Sequence, residues 1–139
     1  MKSNRKGFTL IELLAVIVIL AVIALIATPL IMNVINDAKK GAAKDATLGY
    51  IKAVETTIAT DMVKNPDAVY TATQSTVGKI SCKFCGDTPT ATETTIDVNY
   101  KGTAPKTVNL TIANSGTGAV TGNVTVNEYT YNEKGVLQP

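Results

Sequence analysis

The chain has 139 residues, of which 45% are hydrophobic, and its formal net charge is +2. Three of the 13 basic residues, Lys2, Arg5 and Lys6, precede every acidic residue. Without these three, the chain has 10 basic residues and 11 acidic residues. This nearly neutral balance argues against a protein that binds nucleic acid by neutralising phosphates. The chain contains no histidine, which is the commonest general base at neutral pH and the commonest metal ligand. We therefore expect no enzyme activity, no metal site and no cofactor.

The first predicted element is an apolar helix. No side chain is polar from Leu13 to Ala27, and the apolar character continues past Pro29 to Met32. Counted from Phe8, the segment has about 25 residues, enough to cross a bilayer of about 30 Å. The preceding basic residues predict a cytoplasmic N-terminus, with the chain after about Asn33 outside. A secretory signal would have a core of about 7 to 15 residues before a small-residue cleavage site, which this segment does not match. A plain membrane anchor remains an alternative.

Glu12 is the one acid inside this apolar segment. A carboxylate in the middle of a bilayer costs about 3 kcal/mol on insertion scales, and the Leu, Ile and Val residues between Leu13 and Ile26 contribute about 4 to 6 kcal/mol in favour of insertion. The segment should therefore insert, and because ionisable groups inside membranes usually have a partner, Glu12 is a candidate for pairing. The alternatives are that Glu12 lies at the headgroup level or is protonated.

The residues around Glu12 resemble a known sequence motif. Lys6 to Leu14 read KGFTLIELL after a short basic leader and before an unbroken apolar helix. This arrangement resembles the processing site of type IV prepilins and the related pseudopilins, over about Lys6 to Tyr50. The resemblance implies that a prepilin peptidase cuts after Gly7, removes residues 1–7 as a leader and methylates the new amine of Phe8.

The resemblance also implies that Glu12 neutralises the Phe8 amine of an adjacent copy. Two unit charges 4 Å apart attract by about 4 kcal/mol at an effective dielectric constant near 20, which is comparable with the cost of the acid in lipid. A subunit that leaves the membrane for a filament would thus exchange an unpaired acid for a paired one. Glu12 would then set the register of assembly rather than catalyse a reaction.

The implied function is that of a structural subunit of an extracellular type IV pilus of the Gram-positive type, supporting adhesion, motility or DNA uptake. The precursor would be a single-pass protein of the cytoplasmic membrane, and the mature subunit would lie in a cell-surface filament. Its expected partners are copies of itself, the prepilin peptidase, the pilus assembly machinery and, before assembly, membrane lipid, with no specific nucleic acid. A pseudopilin of a type II secretion or competence system shares these features, and a simple membrane-anchored surface domain is the third alternative.

The helix is expected to have two parts, a transmembrane or filament-core part over 8–32 and an amphipathic continuation over 33–65. Ile51, Val54, Ile58 and Met62 recur every three or four residues and form an apolar stripe that should dock against the rest of the chain. Asn65-Pro66 predicts the end of the helix, because the residue before proline disfavours helical backbone angles.

Pro29 is the expected weak point of the helix. Proline inside a helix costs about 3 kcal/mol, whereas a glycine such as Gly41 or Gly49 costs about 1 kcal/mol relative to alanine. The resemblance implies that the helix melts or kinks locally at Pro29 when the helices bundle. A simple kink within the membrane is the alternative.

Residues 66–139 are predicted to form a helix-to-sheet loop and an antiparallel β head. The loop covers Ala68 to Thr94, with one short strand near Val77 to Cys82. Alternating apolar and polar residues predict three further strands. These strands are Thr95 to Tyr100, Thr107 to Ala113 and Asn123 to Tyr131, with reversals at Lys101-Gly102, Asn114-Ser115-Gly116 and Asn132 to Gly135. The predicted fold is therefore α+β, a long N-terminal helix packed on a small antiparallel sheet.

Cys82 and Cys85 form the one CxxC motif of the chain. Two thiolates cannot complete a tetrahedral zinc site without histidine or further cysteines. A thioredoxin-like motif would open a helix, whereas Gly86 to Pro89 predicts a turn. A local disulfide or a pair of free thiols remains, and the short loop differs from the long disulfide loop near the C-terminus of many Gram-negative pilins.

Overall fold

A computed structural model describes residues 7–113 and 119–139 of the chain. It divides into two units, Met1–Lys39 and Lys40–Pro139, which are described separately. The elements are α1 (Leu10–Lys64), β1 (Val69–Tyr70), β2 (Thr73–Gln74), β3 (Lys79–Lys83), β4 (Thr94–Asp97), β5 (Thr107–Ile112), β6 (Val120–Val126) and β7 (Tyr129–Asn132). The predicted α+β class, with a long N-terminal helix packed on antiparallel strands, is confirmed.

In the second unit, which we call the head, α1 packs through the predicted apolar stripe. Ile51, Val54 and Ile58 are buried, and Met62 is partly buried against the same core. The helix ends at Lys64, where Pro66 begins a turn, as the sequence predicts. The stripe therefore supplies one wall of the core, and the inward residues of the strands supply the other.

The strands form two small antiparallel sheets rather than the single sheet expected. One sheet has the order β1-β3-β4 and the other has the order β2-β5-β6-β7. The segment from Ala68 to Thr94 contains β3 where the sequence predicts one short strand, and it also contains β1 and β2, which the sequence does not predict. The strands β1 and β2 have two residues each, which is too short for an alternating pattern to identify.

The predicted strand from Asn123 to Tyr131 is wrong, because the chain reverses within it. The strands β6 and β7 pair antiparallel on either side of Asn127 and Glu128. Asn127 has φ 57°, and asparagine tolerates this left-handed conformation better than other residues with a Cβ. The reversal expected at Asn132 to Gly135 is present as a turn, and the one at Asn114-Ser115-Gly116 lies outside the described residues.

The outer face of the four-stranded sheet carries short, uncharged polar side chains in three cross-strand rows. The strands β5 and β6 each contain the pattern Thr-x-Asn-x-Thr, and their register pairs like with like. The strands β2 and β7 extend the rows. The rows are Thr73-Thr111-Thr121, Asn109-Asn123-Asn132 and Thr107-Thr125-Thr130. The opposite, inward face is apolar, with Val108, Leu110 and Val124 among its buried residues.

Asp61 joins the end of the helix to two other parts of the head. Its carboxylate is 7% exposed and accepts hydrogen bonds from the Tyr70 hydroxyl (2.7 Å), the Gly86 amide (2.8 Å) and the Asn65 side chain (2.9 Å). Asn65 also donates to the Gly86 carbonyl at 2.8 Å. Because a buried polar group without partners is costly, these bonds fix α1 against β1 and the loop after Cys85.

Replacing Asp61 by alanine should destabilise the head by about 2 to 4 kcal/mol, because the Gly86 amide would lose its acceptor and the Tyr70 hydroxyl would lose its 2.7 Å hydrogen bond. Urea unfolding of the full chain in detergent, followed by near-ultraviolet circular dichroism of the tyrosines, measures the change. The exposed Asp67→Ala is the matched control and should unfold as the wild type does. Equal unfolding midpoints for the two variants would contradict the role of the network.

Stability should also fall at alkaline pH. Burial, and then the hydrogen bond to Asp61, raise the pKa of Tyr70 above the ordinary 10.0, and burial raises the pKa of Tyr50. The unfolded chain therefore loses these protons first, so this stability is fully present below about pH 10 and is lost as the pH rises above it. Tyr70→Phe should flatten this dependence, whereas the control Tyr129→Phe should not; identical slopes would contradict the assignment.

Candidate functional site

The predicted cleavage site lies in a short exposed segment before the helix. Gly7, Phe8 and Thr9 have no regular secondary structure, and α1 begins at Leu10 rather than at the expected Phe8. The Phe8 side chain is 85% exposed, and no described atom lies within 4 Å of where a Cβ at Gly7 would be. The peptide bond between Gly7 and Phe8 thus lies in an exposed segment without regular secondary structure.

Glu12 is hydrogen-bonded to Thr9 of its own chain. One carboxylate oxygen, Oε2, accepts from the Thr9 amide at 2.8 Å and from the Thr9 hydroxyl at 2.7 Å. The Glu12 amide donates back to the Thr9 hydroxyl oxygen at 3.3 Å. This reciprocal pattern is a capping box, with Thr9 as the N-cap and Glu12 at the third helical position.

The capping box explains why the helix begins at Leu10. The first amides of a helix have no acceptor inside the helix, and the side chains of the box satisfy two donors near its start. The sequence carried this signal as Thr-x-x-Glu, but the prediction treated Glu12 only as an acid in an apolar segment. Glu12 therefore already has a hydrogen-bond partner within its own chain.

The apolar side chains around this site are largely exposed in the part of the chain that the structure describes. Every Phe, Leu, Ile, Val and Met side chain from Phe8 to Ile35 is between 41% and 85% exposed. Among the described helices, Leu10–Lys64 contains a window long and apolar enough to cross a membrane. Length and composition alone support that statement, and a signal sequence would satisfy the same criteria.

Pro29 lies inside α1, and the helix is assigned continuously across it. Proline has no amide hydrogen, so the carbonyl four residues earlier lacks its usual donor. One residue before it, the Thr28 hydroxyl donates to the Ala24 carbonyl at 2.7 Å. Local melting at Pro29 during assembly stays a prediction.

In the head, a disulfide joins Cys82 and Cys85, whose Cα atoms are 6.1 Å apart. Both cysteines are at most 1% exposed. Cys82 is in β3, and the loop places Phe84 at φ 54°. The disulfide therefore shapes the loop whose Gly86 amide reaches Asp61, and it is part of the core rather than an exposed reactive pair.

The part of the chain that the structure describes contains no group of three or more His, Cys, Asp or Glu side chains that could hold a metal ion. Asp61, the most buried acid that is described, accepts three hydrogen bonds from neutral donors. Sequence reasoning did not find Asp61, because an aspartate near the end of an amphipathic helix looks like a solvated residue.

Residues 2–28 match the family described as the prokaryotic N-terminal methylation motif. The chain is also 38% identical over 73 residues to the type II secretion system core protein G of Pseudomonas aeruginosa. That alignment covers 52% of this chain and 47% of the relative, so the chain spans about half the length of the protein that it matches. No solved structure matches the chain. The chain therefore carries a type IV pilin-like processing motif and has partial similarity to a secretion-system protein.

Replacing Thr9 by alanine should loosen the start of the helix. The loss of an N-cap costs about 0.5 to 2 kcal/mol, so the first-turn amides should exchange with solvent roughly two- to thirtyfold faster. Nuclear magnetic resonance of the full chain in detergent micelles measures this exchange. Thr28→Ala, which removes a hydroxyl further along the helix, should leave the first turn unchanged. Unaltered exchange in Thr9→Ala would show that the box does not cap the helix.

Proposed function

We propose that the chain is the precursor of a filament subunit, cut after Gly7, methylated at Phe8 and polymerised through its apolar helix. The observation that carries the proposal is the match of residues 2–28 to the methylation motif, together with a helix whose apolar side chains have no cover in their own chain. Large exposed apolar surfaces require lipid or protein contacts. The membrane would cover them before assembly, and the helices of other copies would cover them afterwards.

Glu12 would determine which of the possible arrangements of these helices is the most stable. Moving an apolar helix from lipid into a bundle gains little from the hydrophobic effect, because both surroundings are apolar. A charge pair between Glu12 and the Phe8 amine of a neighbouring copy would favour one register at about 4 kcal/mol for charges 4 Å apart. The capping box fits this role, since it holds Glu12 near the new terminus, and Thr9 can remain its partner until another copy arrives.

We favour a pilus subunit of the Gram-positive type, at the surface of the cell, over the other filament roles. The support is the short Cys82 to Cys85 loop, which differs from the long disulfide loop of many Gram-negative pilins. The similarity to a type II secretion core protein favours the second candidate, a pseudopilin of a secretion system. Electron microscopy of surface fibres, labelled with an antibody against the head, separates the two, because a major pilus subunit would decorate long external fibres.

Leader removal tests the proposal as a whole. The protein isolated from its native cell should lack residues 1–7 and should be heavier than the cut chain by one methyl group on Phe8. Intact-mass spectrometry with sequencing of the N-terminal peptide measures both. A mature protein that still begins at Met1 would eliminate the filament proposal in favour of a simple membrane-anchored domain.

The role of Glu12 can be separated from helix capping. Glu12→Gln keeps a side chain that forms capping boxes but removes the charge, so it should insert and be cut while forming at least about tenfold fewer filaments. Thr9→Ala breaks the box but keeps the charge, and it should assemble nearly normally. Glu55→Ala, which removes an acid in the amphipathic part of α1, is the control. Normal filaments from Glu12→Gln would refute the charge-pair role.

A further inference from the structure

The head has a groove between α1 and the edge of the sheet β1-β3-β4. Its volume is about 550 Å³. Small side chains line its helix side over three turns, and residues of β4 and of the loop after Cys85 line the other side. The helix residues that bound it are Ala53, Thr56, Thr57, Thr60, Asp61 and Lys64. This groove plays no part in the processing or helix assembly proposed above.

The strand β4 presents an unpaired edge to the groove. Among the described residues β4 pairs with β3 alone. Val98 donates its amide to the Gly78 carbonyl beside β3, and amide direction alternates along a strand. The amides of Thr95 and Asp97, which both line the groove, therefore point away from β3, and the structure gives neither amide an acceptor among the described residues.

The dimensions of the groove fit one extended segment. The helix rises about 16 Å from Ala53 to Lys64 at 1.5 Å per residue. A five-residue strand is about 17 Å long at 3.3 Å per residue. From Ala53 to Thr60 the facing helix positions carry side chains no larger than threonine, which leaves room for a backbone beside β4. The groove thus has the length and the free amides that strand addition requires.

The charges of the groove favour a basic occupant. The carboxylate of Asp61 accepts its hydrogen bonds from neutral donors. The carboxylate of Asp97 forms an ion pair with the Lys79 ammonium, which is 2.9 Å away and outside the groove. Asp87 adds a second acid without an ion pair in the described structure, against the single base Lys64. One lysine or arginine on the occupant would balance the remaining charge.

We propose that this groove is a docking site for an extended segment of a partner protein, about five residues long, with a lysine or arginine near its middle. The segment adds beside β4 as a fourth strand of the sheet β1-β3-β4. Main-chain hydrogen bonds to Thr95 and Asp97 supply most of the affinity, and the basic side chain supplies selectivity. The site lies entirely within the head, so it stands or falls independently of filament formation.

The test uses the full chain in detergent micelles and the peptide acetyl-Thr-Val-Lys-Val-Thr-amide. With free peptide at about ten times its dissociation constant, the amides of Thr95 and Asp97 should exchange with solvent about tenfold more slowly. Nuclear magnetic resonance measures the exchange of each amide. A peptide with glutamate in place of lysine should protect more weakly, and a peptide with a methylated backbone should not protect.

A pair of variants locates the binding. Thr60→Trp fills the groove from the helix side and should abolish protection, whereas Ala59→Trp, at the neighbouring position outside the groove lining, should preserve it. Near-ultraviolet circular dichroism checks that both variants are folded. Absence of protection in the wild type, or equal protection in Thr60→Trp, overturns the proposal. Protection that rises with protein concentration without peptide also overturns it, because a second copy would then be the occupant.

Discussion

The structure depends on one constraint, which is that the large apolar side chains from Phe8 to Ile35 are all exposed in the described structure. The free energy of contact with water would be large for such a surface, so the chain needs a second apolar phase. Lipid and a bundle of identical helices both meet this need, and neither is strongly preferred on hydrophobic grounds. Polar groups must therefore determine which of the two environments is preferred, and along this segment the polar side chains are those of Thr9, Glu12, Thr28 and Asn33.

The head has a different requirement for stability, because its short strands must pack against a single helix. The strands β1 and β2 have two residues each and cannot be stable alone. The Asp61 network joins β1 and the loop after Cys85 to the end of α1, and the Cys82 to Cys85 disulfide joins β3 to that loop. Polar contacts at the far end of α1 therefore compensate for a small apolar core.

The sequence was most informative where one physical signal acted over many residues. The long helix, its end before Pro66 and the stripe from Ile51 to Met62 followed from periodicity and proline geometry, as did β5. The turn at Asn127 was missed because the Val, Thr and Tyr residues on either side all have strand character, although the adjacent polar residues Asn127 and Glu128 interrupt the alternation. The residue that reverses the chain is recognised by its tolerance of positive φ rather than by hydropathy.

The candidate site was predictable in part. The string from Gly7 to Glu12 indicated processing, but the partner of Glu12 inside its own chain required the reciprocal Thr-x-x-Glu geometry to be considered as well. Asp61 could not be identified from sequence, because its three donors come from positions 65, 70 and 86. Such a site exists only after the chain has folded, and no local pattern encodes it.

The rows of threonine and asparagine on the four-stranded sheet should bind water in a way that does not depend on the salt concentration. None of these side chains ionises near neutral pH, so this face attracts water through hydroxyl and amide groups alone. Screening by dissolved ions acts on charges, and the side chains of these rows carry none. The rows would therefore keep the same hydration layer in fresh water and in brine.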